Sequence, residues 1–411
     1  MTHQLHCGNN AEVLKQYPDS HFDVIITDPP YGIEFLGKDW DSHTGTLETW
    51  QQCLRVLKPG GHLLAFSAAR TYHHLATNIE SVGFEIRDQL MWIYSSGFPK
   101  AQDMGKAIQR RLGVKEIEGY ADTTKNAGFG QTDHARVRAG VEWSTTETQV
   151  AKVRCTDPQA KQWAGWKTAL KPGHEPIVMA RRPFKGSTID NVLQHGVGAL
   201  NIDVSRIPYE DQADMKSAHV FTGTRTTGMD GYCEPTGTLD KTKETIVQGN
   251  LNGRYPSNVL GEIADYQKYF YCAKVSRKER HTGFEDLPKR LCGPGGDDFV
   301  QAQDHQRSNT NVGNNHPTVK PVALMRYLIQ LVTPANSRVL DPFMGSGSTG
   351  MAALELGHQF VGIDLDANYV SIADRRILGW CAKNPIETKI KTESPMVAVT
   401  KPHSAFDRLF E

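Results

Sequence analysis

A glycine-rich turn close to the C-terminus, LDPFMGSGSTGMAAL, constrains the fold more than any other feature of the sequence. It follows an apolar run typical of a strand and opens a helix-like stretch, with glycines spaced G-x-G-x-x-G at Gly345, Gly347 and Gly350. Glycines let the backbone turn tightly and approach a ligand, and the N–H groups at a helix start attract an anion. Asp364 ends the next predicted strand, where its carboxylate can accept hydrogen bonds from both hydroxyls of a ribose. The pattern predicts an adenosine-containing cofactor.

The late position of this turn indicates where the rest of the sheet comes from. Too little chain follows Asp364 to complete a doubly wound sheet, so the remaining strands must come from upstream. Residues 3–98 alternate short apolar runs with amphipathic stretches and lack the first two strand–helix units of such a sheet. The sequence therefore predicts a permuted parallel α/β sheet. This order argues against an ordinary nicotinamide-binding domain, in which one contiguous stretch builds the whole site.

A second turn, in FDVIITDPPYG at residues 22–32, ends another apolar run and would lie at the same edge of the sheet. Pro29 and Pro30 have no N–H, so this turn offers carbonyl acceptors without competing donors, and Asp28 adds a carboxylate. The Asp28 side chain and the Pro29 carbonyl could each accept one N–H of an exocyclic amine, while Tyr31 stacks on the ring of a flipped-out base. The plainer alternative is a rigid turn that ends a buried strand.

Composition and charge narrow the remaining classes. The chain has 46 Lys and Arg residues and 46 Asp and Glu residues, so its net charge does not indicate nucleic-acid binding. A local basic face that binds nucleic acid remains an alternative. The start, MTHQLHCGNN, has no signal-peptide pattern, and no apolar run approaches the length of a membrane helix. The seven cysteines contain no C-x-x-C pair, so we expect a reduced compartment and no metal site. We expect an intracellular protein.

Three motifs in a fixed order carry a family resemblance. TDPPYG, HPTVKP at 316–321 and DPFMGSGSTG at 341–350, with a long insertion between the first two, resemble the DNA amino-methyltransferases of the permuted β group. LKPGGHLLAF and WKTALKPGHEPIVMARRPF further resemble solitary enzymes of bacteriophages and prophages. The resemblance implies a circularly permuted, Rossmann-like, seven-stranded sheet that binds S-adenosylmethionine and carries a large insertion domain.

The resemblance also implies a division of the chain and roles for single residues. Residues 1–100 would form the catalytic half, 101–315 an insertion that recognises the target, 316–385 the cofactor-binding half and 386–411 a tail. We expect no part of the insertion to complete the sheet, and we assign sequence recognition to residues 186–315. The residues expected at the catalytic loop are Asp28, Pro29, Pro30 and Tyr31; those expected at the cofactor are Asn9, Lys320, Phe343, Gly345, Gly347, Thr349 and Asp364.

Each of the cofactor residues has an expected partner. Asn9, at a position where the family usually has Asp, would contact the adenine, and Lys320 would lie near the carboxylate of the methionine half. Phe343, Gly345 and Thr349, with Gly347, would line that methionine half. Asp364 would bind the ribose.

The function implied is direct methyl transfer to N6 of adenine in double-stranded DNA. N4 of cytosine is the alternative, because the Asp-Pro-Pro-Tyr form goes more often, but not always, with adenine. No cysteine lies in a Pro-Cys context near the cofactor loop, so a covalent intermediate is not expected. Methylation of RNA or of a protein glutamine, and a nicotinamide oxidoreductase, are weaker alternatives. We expect a bacterial, cytoplasmic and phage- or prophage-like enzyme. Recognition sequence, monomer or homodimer, and a restriction partner stay open.

Overall fold

The structure, a computed structural model, describes most of the N-terminal and C-terminal parts of the chain and segments of its middle. The described residues are 2–33, 41, 43–94, 101–114, 120–122, 149–151, 155–209, 211, 252–261, 274–286, 289–290, 310–311 and 313–385. The chain divides into two compact units, Tyr94–His174 and the remainder, Met1–Ile93 with Glu175–Glu411. The expected tail at 386–411 lies outside the described residues.

An eight-stranded mixed sheet forms the larger unit. Its strands, in spatial order, are β1 (His3–Cys7), β12 (Gln359–Asp364), β11 (Arg338–Asp341), β2 (Phe22–Thr27), β3 (Leu57–Phe66), β7 (His174–Arg181), β4 (Glu85–Ile93) and β8 (Val259–Gly261). The neighbours from β1 to β3 run parallel, whereas β7 runs antiparallel to β3. Among the described residues, two shorter sheets pair β5 (Tyr120–Asp122) with β6 (Gln149–Ala151), and β9 (Lys289–Arg290) with β10 (Thr310–Asn311).

Ten helices lie in the described part of the chain, and those of the two ends alternate with the strands. They are α1 (Asn10–Leu14), α2 (Leu47–Val56), α3 (Tyr72–Ser81), α4 (Met104–Arg111), α5 (Pro158–Gln162), α6 (Thr188–His195), α7 (Arg277–Arg280), α8 (Val322–Val332), α9 (Ser348–Glu355) and α10 (Ala367–Lys383). In the part of the chain that the structure describes, no helix is both long and apolar enough to span a membrane.

The predicted permutation is confirmed at the centre of the sheet. Strand β11, which precedes the glycine turn, lies between β12 and β2, so the C-terminal half supplies strands to a sheet whose other strands come from the N-terminal half. Every residue of β2 is buried, as expected of a central parallel strand covered on both faces. Burying a side chain such as Phe22 or Ile25 stabilises the fold by about 1.5–3 kcal/mol.

The expectation that no residue of 101–315 completes the sheet is wrong. Strands β7 and β8 come from this region, and β7 inserts between β3 and β4. The buried run Ile177–Ala180 explains why, because a strand that is apolar on both faces needs a position inside a covered sheet. The sheet has β8 as an eighth strand, paired with β4, beyond the seven expected.

The smaller unit, Tyr94–His174, contains α4, α5 and the β5–β6 pair among its described elements. Helix α4 begins at an Asp103 cap and α5 at an Asp157 cap, each accepting backbone N–H groups of the first turn. Gly105 lies against Ala160 and Ala164, so the two helices pack closely at this point. This compact unit is shorter than the insertion expected at 101–315.

Candidate active site

The Asp-Pro-Pro-Tyr turn follows β2 at the edge where the parallel strands end. Because β2 and β11 are parallel neighbours, their carboxyl ends meet at this edge. The hydroxyl of Thr27, the last residue of β2, donates a hydrogen bond of 2.7 Å to Asp341 Oδ1, at the end of β11. The structure therefore connects the turn at 28–31 to the glycine turn that follows β11.

The backbone of this turn is held by a buried carboxylate. Asp41 Oδ1 accepts the N–H of Tyr31 at 2.6 Å and the N–H of Gly32 at 3.2 Å. Asp41 is itself buried, so these bonds replace contacts with water that the carboxylate loses in the fold. This anchor fixes where the Tyr31 ring leaves the backbone.

Lys320, from HPTVKP, lies against the side chains of the same turn. Its ammonium donates to Asp28 Oδ2 and to the Tyr31 hydroxyl at 3.0 Å, and it lies 4.8 Å from the centre of the Phe66 ring. The Tyr31 hydroxyl is also 2.9 Å from Asp28 Oδ1. The structure thus brings Asp28, Tyr31 and Lys320 together. The contact expected between Lys320 and a cofactor carboxylate stays a prediction.

Burial sets the protonation of this cluster. It raises the pKa of the Asp28 carboxyl, although Lys320 acts in the opposite direction. Burial lowers the pKa of Lys320, but its carboxylate neighbours outweigh this effect, so that pKa stands above its usual value. Burial and the same carboxylates raise the pKa of Tyr31 well above its usual value. Lys320 is therefore an ammonium and Tyr31 a neutral phenol at neutral pH.

The glycine turn lies at the next strand end along the sheet. Gly345 and Gly347 adopt left-handed conformations, with φ of +52° and +79°. A Cβ on Gly345 would lie 2.9 Å from Nε2 of His316, the first residue of HPTVKP, so only glycine fits there. The Gly345 N–H donates to Asp364 Oδ2 at 2.9 Å, and Asp366 N–H donates to Oδ1 at 2.9 Å. The carboxylate of Asp364 is thereby oriented by two backbone donors.

The other predicted cofactor residues are Phe343, Thr349 and Asn9. Two of them, Thr349 and Asn9, already make hydrogen bonds within the protein. Phe343 is half-buried, 5.8 Å from the Trp50 ring. Thr349 is buried, and its hydroxyl donates to Asp341 at 2.6 Å. Asn9 caps α1, its side-chain oxygen accepting the N–H groups of the two residues after Asn10. Contacts of Phe343, Thr349 and Asn9 with a cofactor stay predictions.

Asp341 is a buried carboxyl to which the sequence interpretation gave no role. It accepts hydrogen bonds from the hydroxyls of Thr27 and Thr349 and from the N–H of Phe343, the last at 3.1 Å. Burial raises its pKa to about 7, although these three donors favour the ionised form. Its position in DPF, beside the glycine turn, was visible in the sequence, but its contact with Thr27 depends on the permuted sheet.

Arg376, in α10, was also missed. It is fully buried and donates to the carbonyl oxygen of Ser346, inside the glycine turn, and to the Ser346 hydroxyl at 3.0 Å. Its other terminal nitrogen is 3.4 Å from the Glu279 carbonyl oxygen. Glu279 in turn accepts the first N–H of α8, that of Val322, at 2.8 Å. Arg376 and Glu279 therefore join the glycine turn to the start of α8.

A scan against protein families finds a model described as DNA methylase, which matches residues 22–375. The match includes both turns and HPTVKP and extends over most of the chain. The chain belongs to this family. The methylase is thus an N6/N4 DNA methyltransferase that uses S-adenosylmethionine, as the three motifs indicated.

Similar proteins span different shares of the methylase. It is 23% identical over 410 residues to the type II methyltransferase M.HindIII of Haemophilus influenzae, covering 89% of this chain and 91% of that one. It is 41% identical over 63 residues to the DNA adenine methyltransferase YhdJ of Escherichia coli, covering 15% and 21% of the two chains. The solved PvuII DNA methyltransferase, described as cytosine-N4-specific, is 11% identical, with a TM-score of 0.43 over 95% of this chain and 89% of that one.

The residues at the glycine turn fit S-adenosylmethionine. Glycines at 345 and 347 allow a ligand to approach the backbone, since their left-handed conformations exclude side chains. The half-buried Asp364 carboxylate, with both oxygens oriented by N–H groups, keeps further lone pairs for ribose hydroxyls. Phe343, beside Trp50, adds an apolar aromatic wall. Asp364, Phe343 and the two glycines would hold the cofactor, which supplies an activated methyl group when bound.

Proposed function

We propose that the methylase transfers a methyl group to the exocyclic N6 of adenine in double-stranded DNA. The observation that carries this proposal is the pair of acceptors at the end of β2, the Asp28 carboxylate and the Pro29 carbonyl, one strand away from the glycine turn. An amine with two N–H donors on a flat ring matches two adjacent acceptors next to an aromatic ring.

The chain's own groups act on the amine in three ways. Asp28 and Pro29 each accept one N–H, which orients the nitrogen lone pair away from them. Tyr31 packs on the base, and its hydroxyl contacts with Asp28 and Lys320 keep the ring from turning away. Asp28 already accepts a hydrogen bond from Lys320 and lies 2.9 Å from the Tyr31 hydroxyl, but an ionised carboxylate has about four lone-pair sites. It can therefore accept the substrate N–H as well, and later the proton that the methylated nitrogen releases.

At the cofactor, we propose the roles that the family resemblance implies. Asp364 accepts the ribose hydroxyls, while Phe343, Gly345, Gly347 and Thr349 line the methionine half. Lys320 attracts the carboxylate of that half, which would then share the ammonium with Asp28. Asn9 contacts the adenine through its amide nitrogen, because its oxygen caps α1.

Two features support adenine over cytosine as the target. The turn has the Asp-Pro-Pro-Tyr form that goes more often with adenine in this group. A relative of 41% identity over a short stretch is named a DNA adenine methyltransferase. Methylation of cytosine N4 would use the same two acceptors. The identity of the methylated base therefore distinguishes the two activities.

The test is to incubate the purified methylase with S-adenosylmethionine and unmodified genomic DNA, digest the DNA to nucleosides and identify the products by mass spectrometry. We expect N6-methyladenine. N4-methylcytosine alone would contradict the choice of base, and no methylated base despite measured cofactor binding would contradict DNA as the substrate. Asp28→Ala, with cofactor affinity intact, should abolish the product, and near-normal turnover would refute the role of Asp28.

We also propose that residues 186–315 choose the DNA sequence, although most of 212–273 and 291–309 lies outside the described residues. Exchanging this segment for that of a relative with another recognition sequence should change which sites are methylated. An unchanged methylation pattern would refute this assignment. We further propose that the methylase acts in the bacterial cytoplasm.

A further inference from the structure

Glu175 reaches the catalytic turn because of the direction of its strand. Strand β7 is antiparallel to β3, with Ile177 opposite Phe66, the last residue of β3. An antiparallel strand begins at the edge where its parallel neighbours end. Glu175, near the start of β7, therefore lies at the same edge as the turn that follows β2. Its position in HEPIVMAR did not predict a role at the active site.

Glu175 contacts both of the residues that hold Asp28. Its Oε2 lies 3.0 Å from the Tyr31 hydroxyl and 3.4 Å from the Lys320 ammonium. The side chains of Glu175, Asp28 and Lys320 are only 16%, 19% and 8% exposed, so water screens these charges weakly. Lys320 thus faces two carboxylates, one on each side of the Tyr31 hydroxyl.

A second cation faces Glu175 from another element. Lys274, just before α7, is partly buried, and burial lowers its pKa while Glu175 acts to raise it. Among the described residues, these titratable groups around Glu175 come from three segments: Asp28 and Tyr31 after β2, Lys274 before α7, and Lys320 before α8. The proposed function places Asp28 against the substrate amine and Tyr31 against the ring of the base.

The positive charge of Lys320 affects methyl transfer because positive charge also develops on the substrate nitrogen during this step. The amine nitrogen gives its lone pair to the methyl carbon, the electrons of the carbon–sulfur bond stay on sulfur, and the nitrogen becomes positive until it loses one proton to Asp28. A negative Asp28 stabilises this developing positive charge. A lysine ammonium paired with Asp28 alone would cancel that charge, and a carboxylate that pairs with the same ammonium restores it.

We propose that Glu175 is a positioning residue for methyl transfer, which neutralises Lys320 and holds the Tyr31 hydroxyl so that the charge of Asp28 serves the substrate amine. This inference rests on the proposed function, because it needs an amine at Asp28. It applies equally to adenine N6 and cytosine N4. A purely structural Glu175 would instead support the start of β7 without affecting the chemical step.

The first variant is Glu175→Gln, which keeps the size of the side chain and an acceptor for Tyr31 but removes the charge. The single-turnover rate of methyl transfer, measured with labelled S-adenosylmethionine in saturating DNA, should fall about tenfold or more. Cofactor affinity by isothermal titration should stay within about threefold. Glu175→Asp should recover part of the rate. Glu80→Gln, which removes an exposed carboxylate from α3, is the matched control and should leave the rate unchanged.

A double-mutant cycle with Lys320→Gln separates charge balance from packing. Every rate in the cycle is measured at saturating S-adenosylmethionine, because Lys320 is also proposed to attract the cofactor carboxylate. If Glu175 acts by neutralising Lys320, the double variant loses less rate than the product of the two single losses. The double variant removes one charge of each sign. Where Glu175→Gln fails to fold, the double variant should react at about the rate of Lys320→Gln, because Glu175 has no ammonium left to neutralise. Losses that multiply, an unchanged rate in Glu175→Gln, or a loss explained by cofactor affinity would each overturn the proposal.

The wild-type product separates failure of this inference from failure of the proposed function. Methylated DNA from the wild type with unchanged activity in Glu175→Gln refutes only the role of Glu175. A wild type that binds S-adenosylmethionine and methylates no DNA base refutes the proposed function and this inference together.

Discussion

Replacing Gly345 by alanine tests the packing of HPTVKP against the glycine turn. Its φ of +52° costs a residue with a Cβ about 1–2 kcal/mol. The new Cβ would also lie 2.9 Å from Nε2 and 3.0 Å from Cε1 of His316. That ring contacts the Thr318 carbonyl and packs edge-on against Tyr369, so it cannot move freely. Overpacking of this kind costs about 1–3 kcal/mol. We expect a total loss of about 2–5 kcal/mol in the free energy of unfolding.

Gly196→Ala is the matched control for the backbone contribution. Gly196 ends α6 in the same left-handed region, at φ +73°, but a Cβ there would meet no atom within 4 Å. This variant should lose only the conformational part, about 1–2 kcal/mol. The difference between the two variants therefore measures the contact between Gly345 and His316.

The assay is urea unfolding of both variants, followed by titration with S-adenosylmethionine. Gly345→Ala should also bind the cofactor more weakly, because the shift displaces the N–H that orients Asp364. Gly196→Ala should bind it normally. Equal losses of stability in the two variants would show that His316 does not press on the turn, and would refute the predicted cost of the contact between Gly345 and His316.

Three further predictions concern buried charges. Burial raises the pKa of Asp341 to about 7 in the folded chain, from about 4 in the unfolded chain. Between these two pH values the folded chain holds a proton that the unfolded chain has released. The free energy of unfolding therefore falls by roughly 4 kcal/mol as the pH rises from about 4 to about 7. Asp341→Asn should flatten that slope in urea midpoints at about pH 5 and about pH 8; parallel slopes would contradict it. Burial raises the pKa of Asp364 to about 6, so affinity for S-adenosylmethionine should drop about tenfold per unit below that pH, but not in Asp364→Asn. Arg376→Met should lower the free energy of unfolding by about 2–4 kcal/mol, because it removes the guanidinium that donates to the buried Ser346 oxygens. The control is Arg375→Met, which removes a partly exposed guanidinium and should lower it by about 1 kcal/mol or less. Similar losses in the two variants would refute the role of the buried guanidinium.

The strands of the N-terminal and C-terminal parts, and the proximity of the Asp-Pro-Pro-Tyr turn to the glycine turn, could be predicted from the sequence because they depend on local patterns and on the order of the motifs. The apolar run FDVIIT predicted β2, and the glycine spacing after β11 predicted a tight turn with left-handed residues. The order of the motifs then required a permuted sheet. Since parallel neighbours end at one edge, the proximity of Asp28 to the glycine turn could be predicted as well.

The sequence could not show contacts that depend on distant partners. Glu175 lies at the catalytic turn only because β7 inserts antiparallel beside β3, and nothing in HEPIVMAR indicates that neighbour. The buried guanidinium of Arg376 likewise lies in a helix whose pattern is ordinary, and its bond to Ser346 needs the packing of α10 on the glycine turn. Local sequence patterns therefore did not predict which buried charged side chains contact the site.

The pairing of the first strand with the last has a consequence for synthesis of the chain. Strand β1 has β12 as its neighbour in the sheet, with His3 opposite Phe360. At about 5–20 residues per second, roughly 20–70 s pass between the emergence of these two strands from the ribosome. During that interval β1 and one edge of β2 lack the strands that flank them in the finished sheet. The nascent catalytic half must therefore stay unaggregated, with open strand edges, until the cofactor-binding half is made.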